Sequence, residues 1–86
     1  RTVLGPLAAD DPLLARLRET LLTFLSTGSN YTATAEQLTM HKNTVKYRIA
    51  RAQEERGKPV GEDRMDVELA LIACRWLGPE VLQPGP

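Results

Sequence analysis

Between His41 and Lys58 the chain concentrates side chains that hold anions and hydrogen-bond flat polar edges: Lys42, Asn43, Thr44, Lys46, Tyr47, Arg48, Arg51, Arg56 and Lys58. Six cations stand there against two acids, Glu54 and Glu55, a local formal excess of four in a chain whose 11 basic and 11 acidic residues otherwise cancel. Overall neutrality argues against a polyanionic partner, but the distribution reverses that argument. The other acids gather elsewhere, at Asp10 and Asp11 and again at Glu62, Asp63, Asp66 and Glu68. A local basic surface binds phosphate whatever the charge of the whole domain. Lys and Arg suit phosphate oxygens, and Asn offers the paired donor and acceptor that read a base edge. A solvated charged face is the competing account, and charge alone does not decide between them.

Other chemistries find few residues to work with. His41 and Cys74 are the only residues of their types, so neither a metal ligand set nor a Cys/His nucleophilic pair can be built. No glycine-rich phosphate loop is present, so we expect no cofactor, no metal and no enzymatic activity. Cys74 sits in an apolar stretch, where a small buried hydrophobe is the plainer account and a reactive thiol the other. A reducing, cytoplasmic setting fits a single cysteine. No apolar run reaches the roughly 20 residues that cross a bilayer, and no basic-then-apolar leader stands at the start, so we expect no membrane partner. The chain begins at Arg1, not Met, and is expected to be an excised part of something longer.

These side chains need helices to position them. At 86 residues the chain holds one small domain. Residues 1–10 read as an entry segment broken by Gly5-Pro6, with room for an extra short helix. Asp10-Asp11-Pro12 starts a first helix, along which Leu13, Leu14, Leu17, Leu21, Leu22, Phe24 and Leu25 recur at helical spacing before Gly28 stops it. Arg16 and Arg18 on it read as solvated. Ser29 and Asn30 cap a short helix over 31–38, and 42–56 forms a third, closed by Gly57. A fourth runs over 62–77 to Gly78-Pro79. No strand pattern appears. The expectation is an all-α bundle of four main helices over 11–78, followed by a Pro/Gly-rich flexible tail at 79–86.

Two helices joined by about three residues must cross steeply, with a small side chain where they meet. Ala35 meets that need, while Leu38, Met40, Val45 and Ile49 are spaced to close the core between them. This is the logic of a helix-turn-helix, expected from Asn30 to Arg56, whose second helix enters the major groove of DNA. On a wheel of roughly 100° per residue, Val45, Ile49 and Ala52 point one way. Asn43, Tyr47 and Ala50 lie opposite, flanked by Lys46 and Arg51, with Thr44 at the edge. Glu54 shares that face a turn further on.

The run Thr34-Ala35-x-x-Leu38-x-x-His41-x-Asn43-Thr44-x-x-Tyr47-Arg48-Ile49 resembles the C-terminal helix-turn-helix domain of PucR/CdaR-type regulators, and more distantly the Fis-like helix-turn-helix. Glu19-Thr20-Leu21, Phe24-Leu25 and Gly28-Ser29-Asn30 are similar to the family's entry segment, and the helix after Gly57 to its closing helix. The likeness covers Leu4 to Leu77, and departs at Tyr31-Thr32, where a small apolar residue and a Ser or Thr would stand. It implies a bacterial transcription regulator that binds double-stranded operator DNA, with a sensor domain upstream. By the same resemblance, Asn43, Lys46 and Tyr47 face base edges or sugars. Lys42, Arg48 and Arg51 hold phosphates, and His41 and Thr44 sit at the start of the recognition helix. Thr32 and Thr34 stand at the second helix, where they could bond phosphate beside free backbone N–H groups.

Each assignment has a plainer counterpart. His41 is either a pH switch or metal ligand, for which no second His exists, or a helix-entry residue that caps or touches phosphate; Asn43 is a cap or a base contact, and Tyr47 packs sideways on the second helix or meets DNA. Arg48 grips phosphate or pairs with Glu36 or a helix carbonyl. The fourth helix is apolar nearly all round, from Val67 to Leu77, so it must be covered on more than one side. Either the bundle wraps it alone, or a second copy or an upstream domain covers the rest. A homodimer through 62–77 would pair two recognition helices. The competing function for the whole chain is a helical interaction or dimerisation module that does not bind DNA.

Overall fold

The structure is a computed structural model that describes residues 3–78 and the backbone of Gln83–Pro84. Four helices form in order: α1 over Pro12–Ser26, α2 over Tyr31–Leu38, α3 over Lys42–Arg56 and α4 over Arg64–Leu77. A 3-10 turn over Gly5–Ala8 precedes them. The fold is all-α, as the spacing of apolar residues implies. One detail departs from it. Ala9–Asp10 (β1) pairs in parallel with Gln83–Pro84 (β2), two residues each, too short to leave an alternating pattern in sequence. Apart from that backbone, the tail expected at 79–86 lies outside the described residues.

Local chemistry sets the helix ends. The Asp11 carboxylate accepts from the N–H groups of Leu13 (2.8 Å) and Leu14 (3.3 Å), satisfying two of the free first-turn donors, with Pro12 at the first helical position. α1 closes where Gly28 and Ser29 both turn left-handed, at φ 75° and 61°. Asn30 then caps α2 by accepting from Ala33 N–H at 2.9 Å. The turn between α2 and α3 pivots on Thr39, a β-branched residue in the left-handed region at φ 54°. It lets Met40 N–H reach back to the Ala35 carbonyl at 3.0 Å.

α1 is the spine of the core. Leu14, Leu17, Leu21, Leu22 and Leu25 are buried against Val45, Ile49 and Ala52 of α3 and Val67 and Leu71 of α4. Leu4 and Leu7 of the entry segment join them at 1% and 0% exposure, each contributing roughly 2 kcal/mol of apolar transfer. The entry segment is therefore part of the core.

Two buried arginines explain why. Arg18, expected to be solvated, is buried and donates to the carbonyls of Leu7 (2.9 Å) and Ala9 (2.8 Å). Arg56, counted above in the basic stretch, has a fully buried side chain. It donates to the carbonyls of Val3 (2.7 Å), Lys58 (3.2 Å) and Pro59 (3.0 Å) and pairs with Asp63. One guanidinium thus ties the entry segment, the end of α3 and the approach to α4 together. Gly5, at φ 57°, lies where a Cβ would sit 3.2 Å from the Arg56 carbonyl oxygen.

α4 begins at Arg64, two residues later than the acidic run implied, because Asp63 turns back to Arg56. Among the described residues, the bundle does not wrap this helix by itself. Val67, Leu71 and Cys74 are buried, but Met65, Leu69, Trp76 and Leu77 are more than half exposed and Ile72 is exposed beside them. Cys74 behaves as the small buried hydrophobe that its neighbours implied.

Candidate nucleic-acid interface

α3 carries two clean stripes. Val45, Ile49, Ala52 and Arg56 are buried, and Asn43, Tyr47, Ala50 and Glu54 are exposed. The stripes are offset by two residues, about 200° on a helix, so one faces the core and the other faces directly away. Ala50 leaves the middle of the outer stripe low enough for a close approach. The helix is started by His41, whose Nδ1 accepts from Asn43 N–H at 3.1 Å. His41 thus caps the helix, and its ring remains exposed beside Lys42. Gly57 at φ 93° closes the helix.

The cations divide between two flanks. Lys46 lies toward α2, its ammonium 5.6 Å from the centroid of the Tyr31 ring, which itself rests on Phe24 at 4.7 Å between centroids. A cation over an aromatic face keeps its charge while losing conformational freedom. Tyr31, the departure from the expected local sequence, is thus the platform for a cation, a role that sequence spacing did not reveal. Thr32, His41 and Lys42 stand on this same side, all exposed, around a shallow groove of about 540 Å³ that also meets Met40.

Arg48 and Arg51 lie on the other flank, toward α1. With Tyr47 they border a cleft of about 180 Å³ completed by Leu13, Arg16 and Leu17. Tyr47 is 65% exposed and leans to this side, so it does not pack sideways on α2. Arg48 pairs neither with Glu36 nor with a helix carbonyl among the described residues. Arg51 donates to Glu55 at 3.0 Å, and that carboxylate, then the Tyr47 hydroxyl, hold its guanidinium even more firmly protonated than usual.

Two expectations change. Thr34 is fully buried, donates to the Asn30 carbonyl at 2.7 Å and lies 3.2 Å from the Thr27 hydroxyl, so it serves the α1–α2 junction and cannot reach a phosphate. The basic surface is also narrower than the local count of charges. Arg56 is inside, and Lys58 lies 3.6 Å from Asp63, whose carboxyl Arg56 holds below its ordinary range. Thr44, half-buried at the helix start, stays at the edge of the face. What faces outward is Thr32, His41, Lys42, Asn43, Lys46, Tyr47, Arg48 and Arg51.

The comparisons with known proteins agree with this architecture. The model of the PucR C-terminal helix-turn-helix domain matches residues 17–73, which takes in most of α1, all of α2 and α3, and most of α4. The chain is 40% identical over 73 residues to the "Uncharacterized protein in pkwA 5'region" of Thermomonospora curvata, covering 83% of this chain and 41% of that protein. It is 41% identical over 75 residues to the "Transcriptional activator PmfR" of Paenarthrobacter nicotinovorans, covering 87% of this chain and 15% of that protein. The chain therefore spans less than half the length of either relative. No solved structure matches it significantly.

Proposed function

The chain belongs to the family of PucR C-terminal helix-turn-helix domains, and from that premise we propose that it binds double-stranded DNA sequence-specifically as the reading domain of a bacterial, cytoplasmic transcription regulator. α3 enters the major groove. Asn43, Lys46 and Tyr47 meet base edges or sugars, while Thr32, His41, Lys42, Thr44, Arg48 and Arg51 hold the backbone. The observation that carries this reading is the outer stripe of α3, polar and exposed around a small Ala50, with cations on both flanks. A partner groove on another protein would favour Leu or Met there.

The exposed apolar face of α4 favours a second activity beside the first. Met65, Leu69, Ile72 and Trp76 form the seam of a homodimer. Two copies then present two recognition helices to half-sites spaced by about one turn of DNA, roughly 34 Å, with an upstream sensor domain setting their activity. The likeness to a protein named as a transcriptional activator supports the regulatory role.

Selection of duplexes from a random pool tests the DNA reading. Enrichment of one palindromic or directly repeated motif is the expected result. A pool that stays random after repeated rounds contradicts sequence-specific binding, and a module that works only through α4 would give that outcome.

A further inference from the structure

Arg16 is an exposed cation on α1, outside the helix-turn-helix, and the motif gives it no task. The fold brings it to the cleft on the α1 side of the recognition helix. Arg16, Arg48 and Arg51 all border that cleft, with Leu13, Leu17 and Tyr47 completing its lining. Among the described residues, Arg16 and Arg48 have no carboxylate partner, and Glu55 offsets only Arg51. Three guanidiniums around one small cavity repel one another unless an anion sits among them. At about 180 Å³ the cleft has room for a single hydrated phosphate group, given the ~30 Å³ that one water takes in the liquid. Guanidiniums hold phosphate through two parallel N–H donors each.

We propose that this cleft is a second backbone clamp, in which Arg16 of α1 joins Arg48 and Arg51 of α3 to hold one DNA phosphate on the strand opposite to that gripped near Lys42. The proposal rests on the DNA-binding reading above and adds a residue to it. Lys46 and Lys42 stand on the α2 flank of α3, and Arg48 and Arg51 on its α1 flank. A helix lying in the major groove has a phosphate ridge along each side, so cations on both flanks meet both strands at once. Arg16 extends the reach of the α1 flank beyond what α3 alone supplies. Because its side chain is exposed and bonds no other residue among those described, its removal leaves the core intact.

The test uses anisotropy of the protein on a selected duplex across a range of salt. Arg16→Gln is expected to lower the steepness of log K against log salt by about 0.9, the value of one phosphate contact, and to weaken binding severalfold near 0.15 M salt. Arg16→Lys restores the steepness, Arg64→Gln on α4 leaves it unchanged, and the melting temperature moves in neither Arg16 variant. Duplexes carrying one neutral methylphosphonate at a time identify the contact. One position weakens the native protein and leaves Arg16→Gln indifferent. If Arg16→Gln keeps the native steepness while Lys46→Glu loses affinity, the clamp is wrong and the DNA reading stands. If the native protein shows no salt-dependent binding, both fall.

Discussion

α3 and α4 are nearly the same length, 15 and 14 residues, and each buries one stripe against α1, yet their outer faces are opposites. α3 turns out Asn43, Lys46 and Tyr47, while α4 turns out Met65, Leu69, Ile72 and Trp76. The difference lies in what each face costs when it has no partner. Amide, hydroxyl and ammonium groups are solvated by water, so the α3 face is stable alone and can await a polar ligand. Exposed apolar area forgoes about 25 cal/mol per Å², so a run of four large hydrophobes is the face on which the proposed dimer rests. On the proposed function one domain carries a wet face for nucleic acid and a dry one for protein, and the Arg56–Asp63 seam lies between the helices that bear them.

Removing that seam has the largest effect. Arg56→Ala leaves three backbone carbonyls and a carboxylate without their shared donor and is expected to cost about 3 kcal/mol of stability, read by urea denaturation. A loss under about 1 kcal/mol would mean that the helices hold their angle without it. Trp76→Ala separates the two faces next. Dimer association should weaken by roughly 2 kcal/mol in sedimentation equilibrium, with helix content unchanged. A strict monomer before substitution would leave the α4 face unexplained. Lys46→Glu strikes the other face, lowering DNA affinity on the order of tenfold while the dimer persists. If instead it dissociates the dimer, the two faces are not separate.

Smaller effects sharpen the frame. Thr39 holds a left-handed conformation that costs a β-branched residue about 1–2 kcal/mol. Thr39→Gly is therefore expected to raise stability by up to about 1 kcal/mol in thermal melts, after the extra freedom glycine brings to the unfolded chain. The smallest is a pH effect. Arg56 lowers the Asp63 carboxyl below its usual 3.8, so the stabilisation is present above that value and is lost as pH falls through the lower, folded one. Asp63→Asn should flatten the acid limb of a stability–pH curve, and an unchanged limb would remove Asp63 from the seam.

The helices and the site were legible in the sequence to different degrees. Periodic leucines, the Asp11 and Asn30 caps and the Gly57 stop are local signals, and α2 and α3 fall where these signals put them. The outward stripe of α3 follows from the same periodicity. The arginines did not yield to that approach. Arg16, Arg18 and Arg56 look alike as residues on a charged helix, yet one lines a cleft and two are buried. What separates them is the return of the entry segment across α1 and α3, a long-range contact without local pattern. Thr34 misled for a related reason, since a hydroxyl near a helix start serves either a phosphate or the turn before it, and packing on Thr27 decided. Tyr31 became informative only once α3 placed Lys46 above its ring.

On the proposed function, the outer face of α3 is an electrostatic and hydrogen-bonding surface for DNA. Titrating the protein against a selected duplex at several salt concentrations measures it most directly. The account predicts log K falling linearly with log salt, with a steepness near 0.9 for each phosphate held. Binding that is absent, or indifferent to salt, would contradict it.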